Sequence, residues 1–173
     1  AKFPDKPILE KSPYGAVPRV NVSVKISSLY SQIDPLDFDG SIEALKVRLR
    51  PLYHKAKAAG AFINLDMESY SHKDLTLALF KSLMSEPELA DYPHAGVVIQ
   101  AYLRDAEQDT RAMCEWAKKR GTPVTVRLVK GAYWDYETIH AEQEGWPIPV
   151  FSKKWETDAS YERCAEILLD HHK

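Results

Sequence analysis

Two cysteines, Cys114 and Cys164, are all that the 173 residues contain, and neither has a second Cys or a His at ligand spacing. This scarcity excludes a disulfide framework and a cysteine zinc site, and it suits reduced thiols in a cytoplasm. Long apolar runs are missing too: none approaches the ~18 residues of a membrane span, and residues 1–6 lack the apolar core of a secretory signal. Charge of one sign is not in excess, since 23 Lys and Arg stand against 25 Asp and Glu for a net charge of −2. No basic field is present to gather nucleic acid or anionic lipid. The dinucleotide glycine fingerprint, the P-loop, the zincin His pair and the serine-hydrolase elbow do not occur, so those classes have no motif behind them. The six His are scattered, and His171-His172 reads as a solvated tail.

What is there is globular. A 45% hydrophobic and 28% charged composition fits one ordinary domain with a real core. After a Pro-punctuated lead-in, residues 1–19, the stretch 20–173 alternates short apolar runs with longer stretches of helical period. That order predicts an α/β fold with a parallel sheet. The runs 20–26, 61–67, 96–101 and 123–129 are rich in Val and Ile, as strands buried on both faces should be. Between and after them, helices are expected over 41–59, from a Ser71/Asp74 capping box onward, from Asp105 to the Lys118-Lys119-Arg120 end, and over 135–144 and 158–170. Pro51 is expected to kink or split the first of them, and Gly60 supplies a left-handed stop. Four strands would leave two open sheet edges, whereas a closed barrel needs eight strands and about 250 residues. With Lys173 ending a helix, the reading is about half of a (β/α)₈ TIM-type barrel, with a small open α/β domain as the alternative.

Counting each strand by twos separates its faces. Val22, Val24 and Ile26 share one face of the first strand, opposite Asn21, Ser23 and Lys25; Ile63, Leu65 and Met67 oppose Phe62, Asn64, Asp66 and Glu68 in the second. Each strand thereby ends near a polar or ionised side chain: Lys25, Asp66, Gln100 and Arg127. Active sites of such barrels sit at the C-terminal ends of the strands. Mutual ion pairing is the competing account of these four, because an isolated buried charge is very costly. Cations with one carboxylate and one amide suit an anionic ligand or an electron-rich ring.

The stretch Val126-Arg127-Leu128-Val129-Lys130-Gly131-Ala132-Tyr133-Trp134-Asp135 resembles the most distinctive segment of proline dehydrogenase barrels. The segments Val22-Ser23-Val24-Lys25-Ile26-Ser27-Ser28-Leu29, Asn64-Leu65-Asp66-Met67-Glu68 and Val97-Val98-Ile99-Gln100-Ala101-Tyr102 agree in order and spacing. Gly145-Trp146-Pro147, Phe151 and Thr157-Asp158-Ala159-Ser160-Tyr161 resemble the bacterial bifunctional proline utilization A branch. The resemblance runs from Val20 onward and departs from the family by stopping early, before the later strands, a flavin-binding His segment and the last helix with its paired arginines.

That resemblance implies FAD-dependent oxidation of L-proline to Δ1-pyrroline-5-carboxylate, by hydride transfer from C5 to flavin N5, with electrons passed to a quinone. It implies FAD contacts at Met67, Gln100, Arg127, Val129, Lys130, Gly131 and Ala132, catalytic roles for Asp66 and Arg127, and substrate contacts at Lys25 and Tyr133. Asp66 would orient Arg127 or Lys25. Tyr133 would pack on the proline ring or in the core, and Trp134 at the barrel mouth. The implied setting is a cytoplasmic parent protein with a fused aldehyde dehydrogenase domain, peripheral membrane contact and no nucleic-acid role for this segment. Two rival expectations stand beside it. One is a Schiff-base lyase or aldolase with Lys25 or Lys130 as nucleophile; the other is a structural piece inactive in isolation.

Overall fold

The computed structural model describes residues 4, 6–12 and 15–172. The lead-in holds three elements that periodicity did not reveal: a short helix α1 (Pro7–Glu10) and a two-residue antiparallel ribbon, β1 (Lys11–Ser12) with β2 (Gly15–Ala16). Residues 1–3, 5, 13 and 14 of the lead-in, and the chain end at Lys173, lie outside the described residues. The βα alternation follows as β3 (Asn21–Val24), α2 (Phe38–Ala59), β4 (Phe62–Leu65), α3 (Tyr70–Met84), β5 (Ala95–Gln100), α4 (Ala106–Arg120) and β6 (Thr125–Val129), then α5 (Trp134–Glu144) and α6 (Lys154–Asp170).

The sheet order is β3-β4-β5-β6 and every pairing is parallel. Each strand therefore lies beside its predecessor, and the crossover helices carry the chain back. In register, Val24 meets Leu65, Leu65 meets Val97, and Val98 meets Arg127. This places the C-terminal tips of all four strands along one rim. The expected fold class, parallel strands alternating with helices, is the observed one.

The core forms between the sheet and its helices. The three-four stripe Ile42, Leu45, Leu49, Tyr53 and Ala56 of α2 is buried against α3 and β4, in one core with Leu75, Leu79 and Leu83 of α3. Burying each such aliphatic side chain contributes on the order of 1.5–3 kcal/mol.

Several local expectations are corrected. Burial on both faces holds for β5, all six residues of which are buried, but not for β3 or β6. Those two are the sheet edges, and Val22 is 45% exposed. Ile26 does not continue a strand face; it opens a 3-10 turn, Ile26–Ser28, and is fully buried there. Pro51 neither ends nor splits α2. The N–H it lacks would have bonded the carbonyl of Val47, and Val47 lies on an exposed face of the helix, where a missing bond costs least. α2 starts before residue 41 because Asp37 accepts the Gly40 N–H at 3.2 Å, while Ser41 braces Asp34 instead. α3 starts at Tyr70, so Ser71 and Asp74 form no capping box; Asp74 is drawn to Lys73. α6 starts ahead of Asp158 because Glu156 reaches back to the Lys153 N–H at 2.9 Å. No described helix is long and apolar enough to cross a membrane.

Candidate active site

The strand tips close around one cavity of about 290 Å³, lined by Lys25, Asp66, Gln100 and Arg127 together with Met67, Val98 and Val129, and by residues 130–133 of the loop after β6. All ten residues singled out from the sequence line it. Val98 was not foreseen; it shares strand parity with Gln100, which would have found it.

Each polar group has an identifiable support. Lys25 is the residue from which the 3-10 turn springs. That turn is tied to β4 because the Glu68 carboxylate accepts both the N–H and the hydroxyl of Ser27. The backbone oxygen of Glu68 accepts the Gln100 amide at 2.9 Å. Glu68 therefore joins the ends of three strands, a role its position two residues after Asp66 could have suggested. Lys25 Nζ lies 3.5 Å from the Tyr133 hydroxyl, so Tyr133 turns toward the cavity cation and not into the core.

Between the two candidates for Asp66 the geometry selects Arg127, whose guanidinium donates to Asp66 Oδ1 at 3.2 Å, with Asn64 donating to the same oxygen at 3.0 Å. The Arg127 side chain is 59% exposed. At that exposure the pair is worth at most about 1 kcal/mol, so it orients the guanidinium and adds little to stability. The other guanidinium N–H groups make no bond among the described residues. Lys130 behaves differently. Its ammonium donates to Asp158 of α6, a hydrogen bond that raises the Lys130 pKa, although the residue also lines the cavity.

Gly131 has φ +132°, a conformation that L side chains rarely adopt, and a Cβ there would stand 2.4 Å from the Tyr102 ring. The neighbour that demands glycine is thus a protein ring. Gly131→Ala is expected to destabilise this region by about 1–3 kcal/mol, the usual size of enforced backbone strain. Faster amide exchange in the peptide spanning the loop would measure it; unchanged exchange would show that Tyr102 yields freely. Trp134, 42% exposed, donates its indole N–H to the Phe151 carbonyl at 2.8 Å.

The sequence profile of the proline dehydrogenase family matches residues 4–173. The chain belongs to the proline dehydrogenase family. Its relatives include the bifunctional protein PutA of Klebsiella aerogenes, 36% identical over 86% of this chain and 11% of that protein. Proline dehydrogenase 1 of Bacillus subtilis is 35% identical over 83% of this chain and 40% of its own length. Among solved structures, proline utilization A from Bdellovibrio bacteriovorus, inactivated by N-propargylglycine, superposes with a TM-score of 0.96 at 54% identity, covering 99% of this chain and 18% of that one. The Corynebacterium freiburgense protein gives 0.82 at 40% identity, covering 85% and 16%. This family member therefore spans a minor part of each of these relatives.

Proposed function

We propose that this chain supplies the flavin-facing half of a (β/α)₈ barrel site that oxidises L-proline to Δ1-pyrroline-5-carboxylate, with FAD as cofactor and a quinone as final acceptor. The observation that carries the reading is the Arg127 guanidinium, oriented by Asp66, on the wall of the cavity that Lys25 and Gly131 also line. The donor set fits a flavin. Its polar members are the cations Lys25 and Arg127, with Lys130 paired to Asp158, the Gln100 amide, the Tyr133 hydroxyl and one carboxylate already engaged by Arg127 and Asn64; Met67, Val98 and Val129 offer an apolar wall; and Gly131 presents no side chain.

When bound, FAD supplies the acceptor for the hydride leaving C5 of proline. Arg127 contributes fixed N–H donors where negative charge accumulates, without losing its own proton. Lys25 holds the substrate carboxylate as a point charge, and its neighbour Tyr133 packs on the ring. Met67, Gln100, Val129, Lys130 and Ala132 complete the cofactor wall. A Schiff-base role for Lys130 runs against its Asp158 partner, which favours the charged amine where a nucleophile must be neutral. The bifunctional relatives support a parent protein with a fused aldehyde dehydrogenase domain; a cytoplasmic setting with peripheral membrane contact completes the proposal. Residues 1–173 expressed alone are expected to be inactive, since β3 and β6 stand as open edges.

The direct test is the absorption spectrum of the full-length parent. A flavin spectrum that bleaches on adding proline is expected; a colourless protein, or a flavin that proline leaves oxidised, would end this reading.

Lys25→Ala tests the substrate contact. A charge that grips the carboxylate equally in ground and transition states acts on KM and hardly on kcat. The variant should keep its flavin spectrum and weaken proline and carboxylate-bearing ring analogues alike, by roughly 1.5–3 kcal/mol, the scale of a hydrogen bond to a charged group. Stopped-flow reduction across a proline titration measures both parameters. A lowered limiting rate with unchanged affinity would move Lys25 away from the substrate.

A further inference from the structure

Among the described residues two charged residues are buried outright, Lys73 and Glu137, each 4% exposed. Lys73 is surrounded by Asp74, Asp105 and Asp109, but no described cation pairs with Glu137. A carboxylate buried without a cation is costly unless hydrogen bonds and dipoles offset the lost hydration. Glu137 has both. It lies in the first turn of α5, and its Oε1 accepts the backbone N–H of Tyr70, the first residue of α3, at 2.6 Å. The positive ends of two helices thus act on one carboxylate. α3 has no cap of its own to replace it, because Ser69 makes no side-chain capping bond and its hydroxyl is shared with Ser71 at 2.9 Å.

Each of these helices follows directly from a wall of the cavity. α3 follows Asp66 and Met67, and α5 follows the loop of Gly131 and Tyr133, with β5 lying between β4 and β6. Tyr102, just beyond β5, is buried beside the loop that leads into α5. Its N–H donates to the Lys130 carbonyl at 2.7 Å, its ring lies against Gly131, and the Glu137 charge adds to burial in raising the pKa of its hydroxyl.

We propose that Glu137 is a positioning residue: by fastening the start of α3 to the start of α5, it holds Tyr133 at its place beside Lys25 and so sets substrate affinity. The kinetic part of this inference rests on the proline-oxidation reading.

The test uses the full-length flavoprotein. Glu137→Leu removes the acceptor, whereas Glu137→Gln keeps an oxygen there and serves as the conservative rescue. From the other side, Tyr70→Pro deletes the donated N–H at the first position of a helix, where proline is well tolerated. Ser69, at φ −64° and ψ 160°, already has the extended backbone that a following proline requires. Tyr70→Ala keeps the N–H and controls for loss of the ring. Glu137→Leu and Tyr70→Pro are each expected to raise the proline KM by about 10-fold, the scale of losing a hydrogen bond to a charged group. The Kd of tetrahydrofuran-2-carboxylate, read from the oxidised flavin spectrum without turnover, should rise in parallel. The limiting reduction rate should stay within about 3-fold, because the contact at stake binds ground and transition states alike. Glu137→Gln and Tyr70→Ala should resemble the unmodified protein, and the Leu/Pro double variant should be no worse than either single one.

Unchanged affinity in Glu137→Leu or Tyr70→Pro, effects that multiply in the double variant, or a Gln variant as weak as the Leu variant would each overturn the clamp. Should Glu137→Leu fail to fold, Tyr70→Pro measured against Tyr70→Ala decides alone. If proline does not bleach the unmodified protein, the function reading fails instead, and the clamp is then judged by whether the melting temperatures of the Leu, Pro and Leu/Pro variants are non-additive.

Discussion

Arg127→Met in the full-length protein is expected to retain its flavin and to be reduced by proline more slowly by a factor on the order of 10² to 10³, the cost of losing one preorganised charge-stabilising donor. Retention follows because Arg127 is 59% exposed and bonds only Asp66 among the described residues. Its removal breaks no core contact and strands no buried partner, since Asn64 still donates to Asp66. The loss should fall on the limiting rate, in contrast to Lys25→Ala, because a donor engaged as charge develops contributes mainly to the transition state. Single-turnover reduction with saturating proline measures it. An unchanged limiting rate would show that the guanidinium serves only to hold Asp66.

Lys73→Met should bring the largest loss of stability. The Lys73 side chain is 5% exposed, and its ammonium lies 2.6 Å from Asp105, 2.8 Å from Asp109 and 3.0 Å from Asp74, joining α3 to the start of α4. Burial alone would lower its pKa, yet the hydrogen bonds it donates to Asp105 and Asp109 outweigh burial and hold the pKa above the usual 10.5. With the folded-state pKa raised, this stabilisation is fully present below about 10.5 and is lost only as pH climbs through the folded value. At neutral pH the whole contribution is in force. Removing the cation leaves Asp105 and Asp109 facing each other half-buried, at a cost of about 3–5 kcal/mol. Amide exchange in peptides from α3 and α4 should accelerate accordingly, by roughly 10²-fold or more. Adding Asp109→Asn to Lys73→Met should restore part of the loss. Exchange unchanged in Lys73→Met would mean that water already solvates the two carboxylates.

The four strands, their order and the helices between them were legible because they depend on local patterns. Val and Ile runs alternate with three-four stripes, and a parallel strand needs a crossover before its neighbour, so the order β3-β4-β5-β6 follows almost from counting. The rim of Lys25, Asp66, Gln100 and Arg127 was legible for a related reason: side-chain alternation has a period of two and strand tips of a parallel sheet align. Helix starts were less so. Asp37 and Glu156 begin α2 and α6 through choices among several nearby polar residues, and local sequence ranks those choices weakly; α3 starts at Tyr70, whose N–H finds its acceptor on α5.

What the sequence by itself determined is the alternating fold, its family and the set of polar side chains at one rim. The tertiary structure decided which of them act on which. Asp66 took Arg127 and left Lys25 to Tyr133. Arg120, read as a favourable charge at a helix end, stands there and also donates to the carbonyls of Met84, Leu89 and Tyr92. Gly131 owes its identity to the Tyr102 ring, and the buried Glu137 found its donor 67 positions away at Tyr70. Periodicity reports which way a side chain points relative to its own backbone. Its partner is fixed only when separate elements pack and desolvate it, because burial is what turns an optional polar contact into an obligatory one.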